Sequence, residues 1–179
     1  TQSIPCSLTV WNFSLPAHLS FLAQMNCYGL PGHEMEYYRL AQEHRTTLNC
    51  LPYHWTGRID DGPKIYSDGR WDWSAWDAKY GPLFDGSAFA DLPRGTVPIE
   101  TFYLMLNESW PMHHDTHFKG GYWIESAFDE AYWTEFRDAS KRIAQHLKDR
   151  GWSEPMFEFY LNNKVSAKTA GWEKCTAGW

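Results

Sequence analysis

The stretch "LNESWP", residues 106–111, sets an amide, a carboxylate and an indole side by side where a long apolar run stops. A carboxylate in that setting, Glu108, has the makings of a general acid or base, because burial against an aromatic face tunes its protonation. Its two neighbours, Asn107 and Trp110, offer a hydrogen-bonding edge and a flat apolar face. The same mixture returns as Tyr53, His54 and Trp55 in "LPYHWTG", and as Asn162, Asn163 and Lys164 in "FYLNNK". A pyranose ring asks for both kinds of surface: its C–H face stacks on aromatic rings while its hydroxyls need donors and acceptors. With 11 Trp, several in polar company as in "GRWDWSAWD" and "GGYWIE", the chain has such faces to spare. Each residue also has a plainer use. Any single Trp serves as well to wedge a loop onto the core. Glu108 suits a structural ion pair with Lys164 as well as it suits catalysis, and the Asn pair also fits a turn.

The elements that must hold these groups read as alternating strands and helices. "SLTVWNF" alternates like a short strand, "HLSFLAQMNC" is an apolar run, and "HEMEYYRLAQEHRT" places Met35, Tyr38 and Ala41 at helical spacing. "TTLNCLPYHW" is strand-like, and a polar loop follows through "TGRIDDGPKIYSDGR". "WDWSAWDAKYGPLFDGSAF" holds a helix and a turn, and "VPIETFYLML" is the clearest strand. In the clearest helix Tyr132, Phe136, Ala139, Ile143 and Leu147 share one face and Gly151 stands just past the end. "PMFEFYLNN" is a further strand. This rhythm predicts an α/β fold of parallel βα units. Active sites in such folds gather where strands end, which groups Gln24, Asn26 and Cys27 with Tyr53, His54 and Trp55, Asn107, Glu108 and Trp110, and Asn162, Asn163 and Lys164.

A net charge of −6 and a sequence pI near 5.7 weigh against a nucleic-acid groove. No apolar run approaches the roughly 18 residues of a membrane span. The glycines match neither the P-loop nor the dinucleotide spacing, and no GxSxG elbow is present. His113, His114, Asp115 and His117 are plausible metal ligands by type, yet their spacing fits no helical two-His motif. They read instead as a solvated or sugar-contacting loop, and no metal or cofactor is expected. Asp129 and Glu130 read as a helix cap and its dipole partner. Cys6, Cys27, Cys50 and Cys175 form no CxxC pair; Cys27 and Cys50 fall on neighbouring strands, where two buried thiols are expected.

"SLTVWNFSLP", "NESWPM", "DRGW" and "FYLNNK" together resemble landmarks of glycoside hydrolase family 123 and its wider relatives, some grouped as a domain of unknown function. The resemblance implies a (β/α)8 TIM barrel of which this chain supplies the first half. Residues 1–14 would be a linker strand from a preceding β-rich region and residues 15–179 the N-terminal half-barrel. It further implies a retaining glycosidase acting on N-acetylhexosamine-containing glycans by substrate assistance, with a secreted or cell-surface location. Glu108 would be catalytic, and Tyr53, His54, Trp55, Asn107, Trp110, Asn162, Asn163 and Lys164 would bind substrate. The Asp-Glu pair of that mechanism is expected to follow a later strand, outside this segment. A half-barrel leaves strand edges open, so the rest of the barrel or another chain is expected to complete it. The other reading is a non-catalytic carbohydrate-binding or assembly module.

Overall fold

The computed structural model describes residues 3–30, 32–52, 59, 61–107, 110–111 and 129–159. Strand β1 (Gln24–Cys27) leads to helix α1 (Glu34–Glu43) and strand β2 (Thr47–Cys50), and β1 and β2 pair in parallel. Two short strands, β3 (Lys64–Ile65) and β4 (Trp71–Asp72), form an antiparallel hairpin. Helix α2 (Ser74–Phe84) and a 3-10 turn (Ser87–Phe89) then lead to β5 (Thr101–Leu104). Helix α3 (Glu130–Asp149) precedes β6 (Met156–Phe159), which pairs in parallel with β5. The expected α/β class and parallel pairing are therefore present.

The two strand pairs meet at β2 and β5, where Asn49 Nδ2 donates to Thr101 Oγ1 at 3.1 Å. Side chains alternate across each strand. One face carries Leu48, Phe102, Leu104, Phe157 and Phe159, and all three helices pack against it with Tyr38, Ala41, Leu83, Phe84, Phe136 and Ile143. By the same registers the other face carries Gln24, Asn26, Thr47, Asn49, Thr101, Tyr103, Met156 and Glu158. All but Met156 are polar. Parallel sheets are ordinarily apolar on both faces because both are covered, so this polar side departs from the rule.

That side is also concave. Across a flat sheet β1 and β6 would stand three strand spacings apart, about 14 Å, yet Gln24 Nε2 donates to Glu158 Oε1 at 3.0 Å. Side chains stand roughly upright on a sheet, so the first and last strands must curl toward each other.

Helix α3 forms where its periodicity predicts. Tyr132, Phe136, Ala139, Ile143 and Leu147 are all buried, the Asp129 carboxylate accepts from the Tyr132 backbone N–H at 2.9 Å, and Gly151 takes the left-handed φ of 73°. In α1, Tyr38 and Ala41 are buried, while Leu40 is half exposed.

Two expectations need correction. Residues 7–13 form no strand: Leu8, Val10, Trp11 and Phe13 all face solvent. Alternation makes a segment fit to be a strand, but a strand exists only with a partner to complete its ladder. What fixes this arm is its far end, where the Pro16 and Ala17 carbonyls accept from Arg45 and Arg94. The loop after β2 likewise contains the β3–β4 hairpin, closed by Tyr66, Gly69 and Arg70.

Candidate functional site

A cavity of about 220 Å³ opens at the C-terminal ends of β1, β2 and β5. Its walls are Tyr28, Leu51, Trp76, Phe102, Tyr103 and Met105, and its polar groups include Glu34, Cys50, Asp61 and Tyr80. Glu34 is the first residue of α1, where the helix dipole favours a carboxylate. Lys79 and Tyr80 lie side by side on α2, and Asp61 comes from the loop after β2.

These four side chains form one network. Lys79 Nζ lies 2.6 Å from Glu34 Oε2 and 2.8 Å from Asp61 Oδ2. The Tyr80 hydroxyl lies 3.0 Å from both Glu34 Oε1 and Asp61 Oδ2. A phenol has one hydrogen, so Tyr80 serves one carboxylate at a time while the ammonium serves both. Burial, and the two carboxylates beside it, push the Tyr80 hydroxyl far above its ordinary pKa. The cluster as a whole carries one negative charge against aromatic walls. It can receive hydroxyl donors on the carboxylates and stack an apolar ring face on Tyr28 or Tyr103.

Cys50 and Cys27 are register partners on parallel strands; both thiols are free, as expected, but half-buried rather than buried. Burial, then the adjacent Cys27 and Glu34, push the Cys50 thiol up to about 12. The thiolate is the nucleophile. Iodoacetamide at pH 8 is therefore expected to modify the exposed Cys6 and to leave Cys50 unmodified in the folded protein. Peptide mapping by mass spectrometry reads this directly, and equal labelling of the two would refute it.

Asn107 and Trp110 are both buried. Their backbones bridge each other, the Asn107 amide donates to the Met105 carbonyl at 3.1 Å, and Trp110 packs on Trp71 with centroids 5.7 Å apart. Gln24 and Asn26 lie within β1 rather than beyond it, on the polar concave face. Glu108, Tyr53, His54, Trp55, Asn162, Asn163 and Lys164 lie outside the described residues, as do His113, His114, Asp115 and His117. Among the described residues no cluster of metal-ligating side chains is found, and no helix is long and apolar enough to cross a membrane.

The Glu34–Asp61–Lys79–Tyr80 network is not anticipated by the sequence reading. Its one visible signal is position: Glu34 and Asp61 follow the first two strands, in the segments that line the mouth of a parallel sheet. A larger, open hollow of about 950 Å³ lies at the opposite end, between α2 and the segments entering β5 and β6. Its lining includes Arg94, whose guanidinium is committed to Gln42, Glu100 and the Ala17 carbonyl. Compared with protein-family models, curated proteins and solved structures, the chain matches none.

Proposed function

We propose that this chain is a carbohydrate-handling part of a glycoside hydrolase, with an N-acetylhexosamine-containing glycan as its ligand. The observation that supports this reading is the cavity at the strand ends, where two carboxylates, a phenol and an ammonium stand against aromatic walls. Carboxylates are the usual acceptors for sugar hydroxyls, and aromatic faces take the C–H side of the ring. In the implied reaction the acetamido oxygen attacks the anomeric carbon while the departing glycosidic oxygen takes a proton from a carboxylic acid. Water then opens the cyclic intermediate with retention. Glu108, just beyond the strand that ends at Leu104, is the proposed acid or sugar-contacting carboxylate in this segment.

One observation favours the second reading, a binding module without turnover. Glu34 and Asp61 are both engaged by Lys79, which suits fixed acceptors better than proton carriers.

The test is turnover of aryl N-acetyl-β-hexosaminides alongside calorimetric titration with N-acetylhexosamines. Glu108→Gln is expected to lower turnover or affinity by at least about tenfold. Asp129→Asn keeps a good helix cap and is expected to change neither. Binding without turnover selects the module reading; equal, small effects of the two substitutions would remove Glu108 from the site. Absence of both binding and turnover overturns the proposal.

A further inference from the structure

The polar face of the sheet contains a second constellation, separate from the ion-pair network at the mouth. Glu158 stands on β6 opposite Tyr103 in register, and Gln24 reaches it from β1. The Tyr103 phenol stands beside Glu158 and Asn26, and its partial burial, then the Glu158 carboxylate, raise its pKa, so that it stays protonated. A carboxylate, a phenol and two amides from β1, β5 and β6 thus converge across the concavity.

Their surroundings distinguish them from a structural network. The middle of this face, Thr47, Asn49 and Thr101, is buried, whereas Gln24 and Asn26 are exposed and Glu158 and Tyr103 are half-buried. A carboxylate left partly open keeps lone pairs beyond those used by Gln24 and Tyr103, since its two oxygens accept about four hydrogen bonds. Tyr103 also lines the cavity at the mouth. Tyr103 therefore borders both places, and Glu158 is its register partner on the next strand.

Building on the carbohydrate reading above, we infer that Glu158, held by Gln24 and standing beside Tyr103, is a sugar-contacting carboxylate that accepts hydrogen bonds from ring hydroxyls of a glycan seated at the mouth of the sheet. Gln24 fixes Oε1 and Tyr103 flanks the group on the neighbouring strand, so the carboxylate is held in place before the sugar arrives. Asn26, exposed beside them, offers its amide to the same ligand.

Calorimetric titration of the full chain with methyl N-acetyl-β-hexosaminides tests this. Glu158→Gln keeps the shape and removes the charge; affinity is expected to fall at least about tenfold, as for a lost charge-assisted hydrogen bond. Tyr103→Phe removes only the hydroxyl and serves if Glu158→Gln lowers the thermal midpoint; it is expected to weaken binding about threefold or more. Asp129→Asn, which keeps a good helix cap, should bind as the unaltered protein does. If the unaltered protein binds the sugar and neither Glu158→Gln nor Tyr103→Phe weakens it, the inference falls and the carbohydrate reading stands. If the unaltered protein binds no such sugar, both fall together.

Discussion

Replacing Gly86 by alanine is expected to destabilise the protein by at least about 3 kcal/mol. Gly86 caps the 3-10 turn with φ of 77°, a region that costs L-residues energy by itself. An added Cβ would also sit 2.2 Å from the Thr96 carbonyl oxygen and 3.0 Å from the Pro98 nitrogen. These are backbone atoms, so no side chain can swing aside. The segment they belong to runs directly into Ile99, whose N–H is held by the Leu83 carbonyl at 2.9 Å, and then into β5. Relief of the clash must therefore move the entry to a central strand. Gly69→Ala is the matching control: φ is 80°, but the added carbon meets nothing within 4 Å. It should cost only about 1 kcal/mol. Urea unfolding of the two variants separates steric clash from backbone conformation, and equal midpoints would refute the argument.

Phe84→Ala is expected to cost about 3–5 kcal/mol, the range for truncating a buried phenylalanine. The ring is at the centre of an aromatic cluster with Trp76, Phe102, Trp152 and Phe157, at centroid separations of 5.3, 4.8, 5.2 and 5.3 Å. Those partners come from α2, β5, the segment after α3, and β6. Removing the ring leaves a void bounded by rigid neighbours, which collapse poorly into it. Tyr37→Ala, at a half-exposed position of α1, provides the contrast and should stay within about 0.5–1 kcal/mol of the unaltered protein. A Phe84→Ala midpoint within that same margin would mean that the cluster is not the core it is taken to be.

Much of the framework was legible in the amino-acid order because it depends on local periodicity. Helix α3 is the clearest case: a single apolar stripe, an acidic cap and a terminal glycine agree, and each does its expected work. The parallel pairing of β1 with β2 and of β5 with β6 follows from strands separated by helices. Residues 7–13 mislead because alternation reports suitability for a sheet, not the presence of a neighbour. The β3–β4 hairpin hides for the opposite reason. Its strands are two residues each, shorter than one full alternation, and only the Asp68–Gly69 turn marks it.

A cavity does open at the strand ends, but its Glu34, Asp61, Lys79 and Tyr80 could not be read from the sequence, because they come from three separate segments and meet only in space. Lys79 and Tyr80 are adjacent in a helix, SAWDAKYGPLF, whose sequence has no pattern that sets them apart. Polar residues inside strands were equally easy to overlook. Gln24, Asn26, Tyr103 and Glu158 interrupt apolar runs singly, and only the registers place them on one side.

The seam between the two strand pairs has a mechanical consequence. Among the described residues no backbone ladder joins β2 to β5; side-chain hydrogen bonds from Asn49 to Thr101 and from Gln24 to Glu158 cross between the halves. A ladder would lock the halves like a zip, whereas side-chain ties act as laces whose tension sets how far the edges are drawn together. One of these laces ends on Glu158, the group proposed to meet the sugar. A ligand that competes for that carboxylate would slacken the lacing, so occupancy of the site and the spacing of the edges are parts of one adjustment.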